Sequence, residues 1–312
     1  MPDMDMRDAY CLALKELAAD NKNIVALDAD LMGADGLSSF KKEFPDQFIN
    51  VGVAEANMVG IASGLSTMGK IPFASSFACF ASRRVYDQFF ISSNYAGLKV
   101  NLTGSDPGIS AQLNGGTHMA FEDIGIMRNT PNLVIYEPCD IVSMKALVKE
   151  AAKIPNCTYL RLHRKGSNTI YDQNETFELG KGKVLRDGTD LTIIATGYIL
   201  VPEALKAAEA LSAKGIEAAV IDGYSIKPFD EDLVLEYAKK TGAVLTCENH
   251  QAATGLGSAV ATFLSAKHPV PVFTHGVKDV FGEVGGMDYL KKKFGFTAER
   301  ITELAEALIK EK

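Results

Sequence analysis

Cysteine is scarce, histidine is scarce, positive charge is in deficit, and no apolar run is long. Each shortage excludes something. The five cysteines (Cys11, Cys79, Cys139, Cys157, Cys247) are an odd number with no CxxC pair. They indicate neither a disulfide framework nor a thiolate metal site. Each lies among apolar neighbours, the pattern of reduced, buried thiols in a cytoplasmic protein. His250, His268 and His275 lack metal-ligand spacing, so no metal site is expected. Lys and Arg total 32 against 39 Asp and Glu, a net charge of −7. That is the wrong sign for a general nucleic-acid binder, although a local basic pocket for an anion is compatible with it. Gly, Ser, Asn or charge interrupts every apolar stretch well short of the ~20 residues of a membrane span. The first eight residues carry acids where a secretory leader is basic. No membrane partner is expected.

What remains is an ordinary globular composition, 47% hydrophobic and 23% charged over 312 residues. At roughly 100–200 residues per domain, two domains are expected. Short apolar strands alternate with helical stripes. Residues 7–20 place Ala9, Leu12, Leu14, Leu17 and Ala18 on one helical side. Residues 23–28, 47–53, 71–77, 98–103, 133–136 and 158–162 read as strands. Helices are predicted over 55–67, 82–94 and 143–152, and a loop over 106–117. A polar, Gly-punctuated stretch, 164–183, reads as a linker with an edge hairpin. A second series follows, with strands at 191–195, 217–221 and 243–248. Its helices fall at 201–214, 230–240, 255–265 and 298–312. The expectation is an α/β protein with two parallel-sheet domains, at 1–165 and 183–312, joined by a linker at 166–182.

Candidate chemistry lies at strand ends, where parallel α/β sheets bind ligands. Glu55 follows a strand and opens a helix. Flanked by Val53, Ala54 and Ala56, it is expected to be desolvated, which favours a protonated carboxyl. Phe77 and Phe80 share one side of a helical turn and suit a flat ring. Arg83 and Arg84 follow them and suit an anion. His118 comes after Gly115-Gly116, where glycines allow a close backbone approach to a ligand, and its imidazole can move a proton. Arg161, His163 and Arg164 form a basic cluster at a strand end. Gly255-Leu256-Gly257 is a fragment of a dinucleotide fingerprint, but it lacks the third glycine.

Taken in order, several runs together resemble the C-terminal section of transketolase. They are VGVAEANMVGIASGL (51–65), SFACFASRRVYDQ (76–88), GGTHMAFEDIGIMRNTPNLVIYEPCD (115–140), YLRLHRKG (159–166), ENHQAATGLGSAVA (248–261) and KDVFGEVGG (278–286). The resemblance implies a pyrimidine-binding domain followed by a transketolase C-terminal domain, and thiamine diphosphate with Mg²⁺ as cofactors. No GDG…N-type diphosphate motif is present. The chain therefore resembles one subunit of a split transketolase. It would need an N-terminal partner that binds most of the Mg²⁺ and diphosphate, in an α₂β₂ heterotetramer. By the same resemblance, Glu55 meets a ring nitrogen of the cofactor's aminopyrimidine. Phe80 stacks on that ring, with Phe77 and Arg83 in the same pocket, and Asp30 lies near the cofactor. His118 contacts the ketose oxygens, and Arg164 holds a substrate phosphate.

The chain also departs from the family. Asn114 stands where an aspartate reads a sugar hydroxyl, Asp106 where a histidine helps bind phosphate, and Ala34 near an expected serine. An acid at a phosphate site repels a dianion, so a sulfonated, branched or unphosphorylated sugar is expected as substrate. Other readings are a 1-deoxyxylulose-5-phosphate-synthase-like enzyme, the β subunit of a 2-oxo acid dehydrogenase, and a non-catalytic interaction subunit. The Thr117-His118 loop favours transketolase over the dehydrogenase.

Overall fold

The computed structural model describes residues 4–312; residues 1–3, the start of the stretch in which no leader is expected, lie outside it. The chain folds into two α/β lobes. In the first, β1 (Ile24–Asp28), β2 (Phe48–Asn50), β3 (Ile71–Phe77), β4 (Asn101–Ser105), β5 (Val134–Tyr136) and β6 (Thr158–Leu162) run parallel in the order β2-β1-β3-β4-β6-β5. In the second, β7 (Lys183–Arg186), β8 (Leu191–Ala195), β9 (Ala218–Asp222), β11 (Val244–Gln251) and β12 (Val272–Val277) form a sheet ordered β12-β11-β8-β9-β7, antiparallel only at β7. Between β9 and β11, β10 (Ser225–Lys227) leaves its own lobe and pairs antiparallel with β5.

Strands β1, β4, β6, β8 and β9 are buried at every position, as apolar strands covered on both faces should be. Period-2 alternation divides β1 between two cores. Ile24 and Ala26 join Tyr10, Leu14 and Met144 on one side. Val25 and Leu27 join Met58, Val59 and Ala62 on the other. These partners come from helices Met6–Asp20, Ile141–Ala151 and Glu55–Thr67. The helix at Ile141 begins two residues before the expected start because Asp140 caps it: its carboxylate accepts from the Ser143 amide at 2.8 Å.

Other boundaries also differ from expectation. The helix predicted over 82–94 is three pieces: Ala78–Arg83, Tyr86–Gln88 and a π-helical segment Phe89–Tyr95. Asn94 Nδ2 donates to the Phe89 carbonyl at 2.8 Å across that wider turn. The loop over 106–117 contains helical turns, Gly108–Asn114, kinked at Gln112. The helix predicted from 201 starts at Gly197 and runs to Ser212 with Pro202 inside. Pro202 has no N–H for the Tyr198 carbonyl, and Asn168 Nδ2 donates to that oxygen instead, at 2.8 Å. The expected edge hairpin within 164–183 is absent. That stretch packs as coil, with Tyr171 and Phe177 buried, and β7 begins only at Lys183. Strands β10 and β12 and the helix Met287–Phe294 were not anticipated.

Candidate active site

The C-terminal ends of β1, β3, β4 and β6 share one edge of the first sheet. The chain reverses its order between β1 and β3 there, which is where open α/β sheets leave a ligand crevice. Phe77 ends β3, and Phe80 lies one helical turn on. Their rings are 6.1 Å apart, and His118 stands edge-on to both, at 5.9 and 5.3 Å. The Thr117 hydroxyl lies 3.0 Å from His118 Nδ1. Glu55, 5% exposed, opens its helix beside this wall. It is not an isolated buried acid, because Arg84 Nη1 donates to its Oε1 at 3.0 Å. The same guanidinium lies 3.8 Å from the centre of the Phe80 ring. Arg83 turns the other way: Nη2 donates to the Thr117 carbonyl at 3.1 Å, and Nη1 pairs with Glu122 at 3.2 Å. It braces the His118 loop.

A second cluster adjoins the first through Phe77. Arg164, just past β6, lies 5.0 Å from the Phe77 ring centre. Its Nε donates to Asp106 Oδ2 at 2.6 Å, and its Nη2 pairs with the same oxygen. Burial pushes the Asp106 carboxyl upward while Arg164 pulls it back. The Arg7 amide donates to the Arg164 carbonyl at 3.0 Å. Arg7 Nη1 reaches the Ala34 carbonyl, and Nη2 pairs with Asp5, each at 3.3 Å. Behind them Asp35 accepts from the Ser105 hydroxyl at 2.6 Å. Burial first, with Asp28 and Asp106 adding like charge, pushes Asp35 up to about 7.

The structure therefore brings together Glu55, Phe77, Phe80, His118, Asp106 and Arg164. Asp30 stands apart, exposed and with φ +67°, accepting from Asn50 Nδ2 at 3.2 Å. Asn114 is exposed at the end of the helical turns Gly108–Asn114, just before Gly115. The other two members of the basic cluster are otherwise engaged. Arg161 is fully buried, held by Asp123, Glu137 and the Asn249 carbonyl. His163 stacks on Tyr198 at 4.0 Å, and burial pushes it down to about 3.

Several glycines serve the second lobe instead of a ligand. A Cβ on Gly116 would stand 2.1 Å from the Gly282 carbonyl oxygen, so the pair before His118 admits a second-lobe loop. A Cβ on Gly255 would stand 1.7 Å from Glu248 Oε2. That carboxylate accepts from the Leu256 and Gly257 amides, both at 2.8 Å, and caps their helix. Hence the partial fingerprint, with β11 running on to Gln251, beyond the strand end expected at 248. The second lobe also reaches the site. Asn249 donates to the Pro107 carbonyl and accepts from the Ile109 amide, both at 3.0 Å, next to Asp106. Gly108 has φ +56°, and its Cβ would fall 2.2 Å from Asn249 Oδ1.

Arg7, Asp35, Arg84 and Asn249 were not singled out for these contacts by sequence. Only the adjacent pair Arg83-Arg84 carried a signal. All five cysteines are free and buried, and among the described residues no helix is long and apolar enough to cross a membrane.

An aromatic wall beside a buried Glu55–Arg84 pair and an Arg164–Asp106 pair, at the strand ends of a parallel α/β lobe followed by a second α/β lobe, define the class. Residues 2–168 match the family model "Transketolase, pyrimidine binding domain", and residues 180–301 match "Transketolase, C-terminal domain". The chain belongs to the transketolase family. It is 51% identical to the 6-deoxy-6-sulfo-D-fructose transketolase subunit SqwH of Clostridium sp. (strain MSTE9), over 98% of this chain and 95% of that protein. It is 36% identical to an apulose-4-phosphate transketolase subunit of Phocaeicola vulgatus, over 97% of each. Among solved structures it is similar to a split-gene transketolase described as an inactive β4 tetramer, with a TM-score of 0.90, 42% identity and 99% coverage of both chains.

Proposed function

We propose that this chain is the pyrimidine-binding subunit of a two-chain transketolase. It would move a two-carbon ketol unit from a ketose to an aldose, with a sulfonated ketose such as 6-deoxy-6-sulfofructose as the favoured donor. One observation carries the cofactor reading. The Arg84 guanidinium is a plane stacked on Phe80 with a nitrogen hydrogen-bonded to Glu55. A flat, nitrogen-bearing ring such as an aminopyrimidine makes the same two demands, so these residues fit that part of thiamine diphosphate. When bound, thiamine diphosphate supplies the electron sink for breaking a carbon–carbon bond beside a carbonyl. Glu55 then holds a ring nitrogen, Phe80 and Phe77 stack and exclude water, and Arg83 keeps the His118 loop in place. His118, with Nδ1 turned to Thr117, has Nε2 for a ketose oxygen, and Asn114 meets a sugar hydroxyl. Asp30, exposed beside Asn50, stays outside this set. The diphosphate and Mg²⁺ are assigned to an N-terminal partner chain, in an α₂β₂ assembly in the cytoplasm. The inactivity of the split-gene relative's β4 tetramer supports the need for that partner.

The substrate reading rests on the charge of the corner. Arg164 already faces Asp106, and Arg7 already faces Asp5. A phosphate monoester carries a charge of about −1.5 to −2 at pH 7, and this nearly neutral corner has little to offer a dianion. A sulfonate monoanion asks less of it. The SqwH relative, named for a sulfonated sugar, supports this choice. The test is ketol transfer by this chain mixed with an N-terminal transketolase chain that carries the diphosphate site. We expect kcat/KM for 6-deoxy-6-sulfofructose to exceed that for fructose 6-phosphate by about tenfold or more. Equal or better use of the phosphate overturns the substrate assignment. Turnover that survives Glu55→Gln overturns the catalytic one.

A further inference from the structure

We propose that Arg84 is a built-in competitor of the cofactor, so that its ion pair with Glu55 must open before an aminopyrimidine can enter. The inference rests on the reading of Glu55 and Phe80 given above and adds a regulatory step at the same site. The Glu55 carboxylate is almost wholly buried, whereas the Arg84 side chain is half-exposed, at 50%. The guanidinium covers the Phe80 face and takes up a Glu55 oxygen at once. A ring stacked on that face and bonded to that carboxyl needs the same volume and the same acceptor. Arg84 has somewhere to go: it sits at the end of the short helix Ala78–Arg83, with solvent on one side. Arg83, whose three contacts all run to the other side (Cys79, Thr117 and Glu122), does not compete. A half-exposed ion pair and an exposed cation–π contact each contribute modestly, so the barrier to entry is a tax on affinity and not a block.

The assembled two-subunit enzyme would be titrated with thiamine diphosphate and Mg²⁺ by calorimetry. This chain alone would be titrated with 4-amino-5-hydroxymethyl-2-methylpyrimidine and followed by NMR. The neutral pyrimidine removes any direct attraction between Arg84 and the diphosphate. Arg84→Ala and Arg84→Met are both surface truncations, and thermal melts would check that each folds. Each is expected to tighten pyrimidine binding by about tenfold, and to do so by only about threefold in a Glu55→Gln background, where the charge pair is gone and only the Phe80 contact remains. Unchanged or weaker binding in both variants overturns the inference, as does an equal gain in the Glu55→Gln background. If the wild-type assembly takes up no thiamine diphosphate at all, the cofactor reading falls and this inference with it. Wild-type uptake with no gain in the variants strikes the inference alone.

Discussion

Asp106 sets how much charge Arg164 has left to offer. Its carboxylate faces the guanidinium through both Nε and Nη2, so an anion arriving at Arg164 would compete with a resident one. Asp106→Asn keeps the shape and one acceptor but removes the charge. In the assembled enzyme it is expected to raise kcat/KM for fructose 6-phosphate relative to the sulfonated ketose by about fivefold, a repulsion of about 1 kcal/mol at this largely buried pair. An unchanged ratio would show that Asp106 does not set the preference. At this scale the sequence was informative where a residue's role is local. Phe77 ends β3, Phe80 lies one turn beyond it, and Glu55 opens the helix that follows β2. It was silent where a role depends on distant chain. Arg7 reaches the Arg164 corner from the first helix, and Asp35 lies behind Asp106 through Ser105 on β4. No spacing in the sequence announces either contact.

The loop from Asp106 to Gly116 is held by elements of the other lobe. Asn249, near the end of β11, satisfies the Pro107 carbonyl and the Ile109 amide. Both groups are buried; without the side chain the Ile109 amide loses its acceptor, whereas the Pro107 carbonyl keeps the Ser110 hydroxyl and amide. Asn249→Ala is expected to lower stability by about 2 kcal/mol in chemical denaturation. It is also expected to raise KM for the anionic donor more than it lowers kcat, because the backbone following Asp106 loses its anchor. A loss of stability with KM intact would confine Asn249 to packing. Periodicity could not reveal this element. The stretch from Asp106 to Thr117 is rich in Gly, Pro and Asn and reads as loop, and its turns are fixed by contacts from a strand far along the chain. For the same reason the glycine pair before His118 looked like a ligand cradle. Its neighbour is Gly282.

Across the whole molecule, the seam between the lobes carries buried ionisable groups. Asp222 ends β9, and its Oδ2 accepts from the Tyr171 hydroxyl at 2.7 Å and from the Cys139 thiol at 3.1 Å. Burial pushes it up to about 7, above the ~3.9 of an unfolded aspartate. The folded state therefore holds this proton where the unfolded chain has released it. Its contribution to stability is present in full below about pH 4 and is lost as pH rises through about 7. Asp222→Asn removes that dependence. Its melting temperature, relative to wild type, is expected to rise between pH 5 and pH 8 by scanning calorimetry. A flat difference would show that Asp222 does not govern the slope.

Strand β10 gives the seam a different kind of consequence. The outer edge of β5 is covered by three residues, Ser225–Lys227, that belong by chain order to the other lobe. During synthesis the first sheet must wait with a bare rim until that late segment leaves the ribosome. Bare rims of this sort recruit strands from neighbouring chains. A gene truncated after the first lobe would yield a sheet with an open margin, prone to self-association. The pyrimidine-binding half is therefore not a portable module, and recombining it with other C-terminal halves requires carrying β10 along.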